Sequence, residues 1–230
     1  MRAFLITGTD TEIGKTTVTA GLTHLGVQLG LRSVAVKPVA AGLALVDGHW
    51  INDDVQRLMA ATNLAVSPSQ IGPLQLREAC APHIAAHLEG VTLDRTALLG
   101  AVQQTLALAE LGFVEGVGGF RVPLTVGWDT ADMACDLGLP VVLVVGLRLG
   151  CINHALLTAE ALRTRGLSLA GWVANTVDPA FLHSDLNLDA LKSGLHAPCW
   201  GHVPLLPNPS PAAVATHLSL NALRQAMEKP

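Results

Sequence analysis

The stretch Gly8-Thr9-Asp10-Thr11-Glu12-Ile13-Gly14-Lys15-Thr16-Thr17 constrains this chain more than any other part of it. It follows the apolar run Ala3-Phe4-Leu5-Ile6. It leads into a segment, Lys15 to Leu31, whose apolar residues Val18, Leu22, Leu25 and Leu29 recur at helical spacing. Strand, glycine-bounded loop and helix start, in that order, make a phosphate-binding turn. Backbone N–H groups of the loop and first helical turn point at the ligand, and the helix dipole favours negative charge there. In such a turn Lys15 reaches the outer phosphates and the Thr16 hydroxyl ligates magnesium. The spacing departs from the general pattern: five residues, not four, separate Gly8 from Gly14, so Thr9 stands where the first glycine normally falls.

Half of the 230 residues are apolar and only 14% are charged. That balance suits a fold with many strands and helices buried around a large core. A net charge of −4 argues against nucleic acid or an anionic membrane as partner. The first apolar stretch is short and ends in a loop, unlike a secretory signal, and no apolar segment approaches the roughly 18 to 20 residues of a membrane helix. A soluble, cytoplasmic protein is expected. Cys80, Cys135, Cys151 and Cys199 show no Cys-x-x-Cys spacing and read as reduced thiols. His83 and His87 are four apart, yet no third metal ligand accompanies them.

Apolar strand candidates at 3–6, 33–37, 111–114, 140–146, 168–174 and 198–203 alternate with helical patterns at 15–31, 52–61, 93–110, 129–138, 152–165, 185–194 and 211–227. Val141-Val142-Leu143-Val144-Val145 is the clearest strand, β-branched as a strand buried on both faces must be. Asn52-Asp53-Asp54 and Asp185 suit helix starts, and Gly166 suits a helix end. Gly112 weakens the strand it sits in. Four prolines between Pro204 and Pro211 dictate an irregular loop. The alternation predicts one α/β domain over 1–230, a doubly wound, mostly parallel sheet of the phosphate-loop NTPase type.

Lysine is scarce: Lys15, Lys37, Lys192 and Lys229 are all there are. Lys37 ends Ser33-Val34-Ala35-Val36-Lys37, at the sheet edge where open α/β folds bind ligands. An ammonium there stabilises charge on a reacting acyl phosphate or carbamate; an exposed strand-end lysine is the plainer alternative. Glu115 ends the strand Leu111 to Val114 and precedes Gly116-Val117-Gly118-Gly119, where the backbone can pass close to a ligand. A carboxylate at that place anchors magnesium in phosphate-loop proteins, with Asp54 able to complete the set. Asn175, followed by Thr176, ends another strand and either reads a base edge or serves an ordinary turn before Pro179. The helix start at Gly150-Cys151-Ile152-Asn153 offers a second anion site, fit for a carboxylate.

Together these motifs resemble the dethiobiotin synthetase family, ATP-dependent ligases of biotin synthesis. The resemblance runs nearly the whole chain: Gly-Thr-Asp-Thr-Glu-Ile-Gly-Lys-Thr at 8–16, Lys-Pro-Val-Ala at 37–40, Val-Glu-Gly-Val-Gly-Gly at 114–119, Val-Val-Gly-Leu-Arg-Leu-Gly-Cys-Ile-Asn-His at 144–154 and Leu-Ala-Gly-Trp-Val-Ala-Asn at 169–175. The five-residue loop spacer is the form this family uses. The resemblance implies that 7,8-diaminopelargonate and CO2 form a carbamate, that the carbamate attacks the γ-phosphate of ATP, and that the second amine closes the ring and expels phosphate. It implies that Glu12, Ile13, Gly14, Lys15, Thr16 and Thr17 hold the triphosphate, with Gly116, Val117 and Gly118 beside it. Thr16, Asp54 and Glu115 would serve Mg2+, and Lys15 and Lys37 the transferring group. Asn175, Thr176, Pro204, Leu205 and Leu206 would meet adenine. Thr11, Lys37 and Ala41 would lie at the diamine, and Gly150 to Asn153 would bind its carboxylate across a homodimer. Ala41 stands where many members carry Ser, Val117 replaces a common Ala, and Pro207 to Pro211 lacks a frequent acidic residue.

Partitioning and septum-positioning ATPases share this fold and form the rival reading. Their loops carry an extra lysine where this chain has Asp10, and the last twenty residues here hold only Arg224 and Lys229 as cations. Amidotransferase-linked synthetases acting on corrinoids need a glutaminase domain for which 230 residues leave no space.

Overall fold

Six parallel strands form the central layer of the computed structural model, which describes residues 1–228; Lys229 lies outside them. In chain order the elements begin β1 (Arg2–Gly8), α1 (Lys15–Gln28), β2 (Ser33–Val36), β3 (Val39–Ala41), β4 (Ala44–Val46), β5 (His49–Ile51), α2 (Asp53–Ala61), α3 (Pro68–Ile71), β6 (Leu74–Leu76) and α4 (Pro82–Glu89). They continue with α5 (Arg95–Leu106), β7 (Leu111–Glu115), β8 (Pro123–Thr125), β9 (Trp128–Asp129), α6 (Thr130–Leu137), β10 (Val141–Leu147) and α7 (Cys151–Thr164). The last are β11 (Leu169–Thr176), α8 (Ser184–Leu195), β12 (Cys199–Val203), α9 (Pro211–Ala215) and α10 (Leu220–Glu228). The sheet order is β12-β11-β10-β1-β7-β2, and every pairing in it is parallel. β10 is buried at every position, as its β-branched run predicts. Phe4 on β1 stacks on Phe113 and takes the edge of Trp200, with ring centroids 6.0 Å and 5.4 Å away.

This order decides where ligands go. β1 lies between β7 and β10, with Ile6 opposite Glu115 and Gly8 opposite Val144. The loop leaving β1 therefore emerges between two strand ends, at the carboxyl edge where the order of connections reverses. Gly112 is no defect: a side chain there would strike Leu106, so its absence lets α5 pack close to β7.

Several boundaries differ from the sequence reading for identifiable reasons. The single helix expected over 211–227 is two. Ser219 N–H donates to Trp200 O at 2.6 Å and Leu218 bridges Gly201, so the chain turns aside to pair with β12. Strand β2 stops at Val36 because Lys37 N–H turns away to Ile71 O. The helix expected over 93–110 spans Arg95–Leu106, and that expected over 15–31 ends at Gln28. Between residues 62 and 92, α3, β6 and α4 escaped periodicity because each is too short to repeat it.

Ile13 is buried beneath the phosphate loop. It lies where side chains on Gly8 and Gly146 would collide with it, so these two glycines make its socket. Ile13→Ala empties that socket and should cost about 2–5 kcal/mol. Urea unfolding checks this, and an unchanged midpoint with an unchanged slope would show that the socket collapses freely.

Candidate active site

The loop's path is fixed by two left-handed residues, Glu12 (φ 57°) and Gly14 (φ 80°). Gly14 is the residue immediately before α1, and no side chain caps that helix, so its first N–H groups remain available to an anion. Asn175, at the end of β11, donates from Nδ2 to Ile13 O at 2.9 Å and fastens the loop from the side. A side chain at Gly14 would collide with that amide.

Two strand ends and a helix start converge on the start of α1. Glu115, at the end of β7, is wholly buried; its Oε1 accepts from Thr16 Oγ1 at 2.6 Å and from Lys37 Nζ at 2.9 Å. Lys37 also donates to Asp54 Oδ2. Asp54 is placed by α2, whose start is fixed by Asn52. That side chain accepts from Val55 N–H at 3.1 Å and donates to Gly42 O, also at 3.1 Å. Burial opposes the charge on Lys37, but Glu115 and Asp54 outweigh it and raise its pKa, so Lys37 is an ammonium. Burial would raise Asp54, yet Lys37, by charge and hydrogen bond, holds it below the usual carboxylate range. Burial pulls Lys15 down to about 8, helped by the charge of Lys37 and resisted by Glu115. Lys15 Nζ rests on Asp10 O at 2.7 Å.

These groups line a cleft of about 770 Å³. Its walls include the expected Thr11, Glu12, Gly14, Lys15, Thr16, Thr17, Lys37, Ala41, Asp54, Glu115, Val117 and Gly118. Ile13 lies under the loop and offers only its backbone to a ligand, and Gly116 is buried behind the wall. Asn175 touches the loop from beside the cleft. Thr176 Oγ1 is 2.9 Å from His202 Nε2, and Pro204, Leu205 and Leu206 follow the end of β12, outside the cleft wall. Gly150, Cys151, Ile152 and Asn153 also stand off that wall, at the exposed start of α7, where the Cys151 side chain turns into the core.

Asp53, Arg57, Cys80, Pro82 and Val122 line the cleft and had escaped sequence reasoning. Asp53 carried a signal, since it adjoins Asp54 on a helix start. Arg57 is one turn beyond, where helical geometry brings it back to the same face. Cys80 comes from the irregular approach to α4 and Pro82 from that short helix's first position, and neither carried a signal.

Oxygen donors suit a hard cation, and the set here is a hydroxyl and two carboxylates. Glu115 Oε2 is buried without a hydrogen-bond partner, as an atom awaiting a ligand would be. Among the described residues no three His, Cys, Asp or Glu gather into a cage. Mg2+ needs none, because it keeps waters and substrate phosphates in its coordination shell.

Over 219 residues the chain is 50% identical to the ATP-dependent dethiobiotin synthetase BioD of Aromatoleum aromaticum, covering 95% of this chain and 97% of that one. Against BioD of Pseudomonas paraeruginosa it is 52% identical over 224 residues, covering 97% and 98%. The chain belongs to the dethiobiotin synthetase family. A family model described as an AAA domain matches residues 2–213. Among solved structures, the cell division ATPase MinD of Pyrococcus furiosus superposes with a TM-score of 0.61 at 18% identity, covering 99% of this chain and 98% of that one. A ParA family ATPase of Chlorobium tepidum gives 0.56 at 13%, over 99% and 98%. These two share the fold, whereas the dethiobiotin synthetases also share the sequence.

Gly14→Ala should abolish measurable ATP binding by calorimetry, because the substitution adds both backbone strain and a clash with Asn175. Gly14→Ala/Asn175→Ala removes the clash, and with it the Asn175–Ile13 bond, but leaves the backbone strain. It should recover part of the lost stability while the left-handed strain, on the order of 1 kcal/mol, persists. Full recovery of ATP affinity in the double variant would show that Gly14 serves space alone.

Proposed function

We propose that this protein carboxylates 7,8-diaminopelargonate and closes it to dethiobiotin, using ATP, CO2 and Mg2+. The observation that carries this reading is Lys37, an ammonium held by two carboxylates and joined through Glu115 to the first turn of α1. A carbamate oxygen brought there meets a fixed positive charge at the point where negative charge accumulates during phosphoryl transfer. The C–N bond of the carbamate forms first. Its oxygen then takes the γ-phosphoryl group as ADP leaves, and the second amine attacks the carbonyl carbon and displaces phosphate. Glu12 to Thr17 cradle the triphosphate by their N–H groups, and Thr11 and Ala41 stand along the diamine's path. Asn175 and Thr176, with Pro204 to Leu206, serve adenine. Thr16, Asp54 and Glu115 would hold Mg2+, which when bound supplies positive charge to the phosphate oxygens.

Of the cleft's cations, Lys15 and Lys37 face the reacting groups and Arg57 pairs with Asp53 at 2.8 Å, which leaves the substrate's carboxylate to another group. We assign that role to the Gly150–Asn153 start of α7 in a second copy, so the active form is a homodimer. Leu149, Leu156 and Leu157, exposed on and beside α7, support this reading as an apolar contact face. Among the described residues no helix is long and apolar enough to cross a membrane, and a cytoplasmic setting with small-molecule substrates fits that.

Phosphate release from ATP with bicarbonate, measured with and without the diamine, tests the reaction. Release should depend on the diamine, whereas vigorous release without it, or stimulation by DNA, favours a regulatory ATPase. Lys37→Gln should lower kcat by roughly 10²–10³ with ATP affinity little changed, while Lys15→Gln harms both. Equal losses of ATP binding would contradict that division of roles. Ala41→Ser adds a hydroxyl at the cleft wall, and one new neutral hydrogen bond should lower the diamine's KM about two- to twelvefold. An unchanged KM in a variant of wild-type stability would remove Ala41 from the substrate path. Light scattering at assay concentration should find dimers, and a fully active monomer would eliminate the shared carboxylate site.

A further inference from the structure

Two side chains from outside the phosphate loop fasten it. Asn175 holds Ile13, near the helix. The second is Arg148, the first residue after β10, whose Nη2 meets Asp10 Oδ2. The other carboxylate oxygen of Asp10 accepts the Thr11 N–H at 2.8 Å, and the Asp10 carbonyl accepts the Lys15 ammonium. One residue thus sets the direction of Thr11, the resting place of Lys15 and the connection to the neighbouring strand end. The connection follows from the sheet: β10 lies beside β1, and Thr9 N–H still bonds Val144 O at 3.1 Å where the loop departs. Arg148 leaves β10 on that side.

Asp10 also places a carboxylate inside a loop that receives a polyphosphate, which is electrostatically unfavourable unless that charge is balanced. Arg148 is the cation that touches it. We infer that Asp10 and Arg148 form a positioning clamp for the phosphate loop. Arg148 cancels the charge of Asp10 toward the bound triphosphate and holds Thr11 and Lys15 in their places along the cleft. The pair is half-exposed, so its contribution to global stability is small and its effect falls on the loop.

The inference rests on the nucleotide reading of this loop, which ATP binding to the wild-type protein checks separately. The test is a double-mutant cycle on kcat/KM for ATP, with urea midpoints as a control for folding. Arg148→Gln should lower kcat/KM about five- to twentyfold, chiefly through KM, with the midpoint unchanged. Arg148→Lys, which keeps the charge, should remain within about twofold of wild type. Asp10→Asn/Arg148→Gln should be no worse than Arg148→Gln alone, because the charge that Arg148 balances is gone. Wild-type kinetics in Arg148→Gln, equal damage in Arg148→Lys, or additive losses in the double variant would each overturn the clamp. A wild-type protein that binds no ATP would overturn the nucleotide reading and the clamp together.

Discussion

The carboxylate of Glu115 is the point on which the site depends. It is buried completely at the end of a central strand, and an ionised carboxylate in such a place is strongly destabilising unless charged or hydrogen-bonding partners meet it. Here Thr16 and Lys37 both meet the same oxygen. That single acceptor ties the first turn of α1 to the end of β2. The other oxygen is left without a partner. A buried carboxylate oxygen left unsatisfied is costly, and a cation that reached it would stabilise the protein.

The sheet order makes this convergence possible with little side-chain reach. Because β1 lies between β7 and β10, the phosphate loop has Glu115 on one side and Arg148 on the other. Ile13 plugs the loop down onto two glycines, and the Asn175 amide closes it from β11. Four consecutive strands of the sheet therefore contribute to one loop, β7 through Glu115, β1 by carrying it, β10 through Arg148 and β11 through Asn175. Substitutions that appear to be about core packing, such as those at Ile13, fall on nucleotide geometry as well.

Much of this was legible in the sequence because strand ends are easily read. Lys37, Glu115 and Asn175 each close an apolar run, and in an open parallel sheet all such ends lie on one edge. The loop glycines and the Gly-Lys-Thr triplet fixed which edge mattered. What escaped reading was built from residues without period or from pairs far apart in the chain. Asp10 and Arg148 are separated by 138 positions, and only the adjacency of β1 and β10 brings them together. The break between α9 and α10 arises from backbone pairing with β12, which no local propensity reports. Cys80 and Pro82 reach the cleft between β6 and the first residue of α4, on a course that depends on β3 and β6 pairing as a separate two-stranded sheet.

Position 10 also sets the charge of the loop within this shared architecture. The MinD and ParA family ATPases superpose on this chain at 13–18% identity, so the framework alone does not fix the activity. A lysine at position 10 would add positive charge to the loop. An aspartate there repels phosphate, and it is tied within the same chain to Arg148. The loop is thereby closed upon its own subunit, with Lys15 resting on it and Lys37 held across the cleft by Glu115 and Asp54. Positive charge is directed inward, into the cleft. That inward arrangement suits phosphoryl transfer to a bound carbamate, where the charges must already be in place when the oxygen attacks.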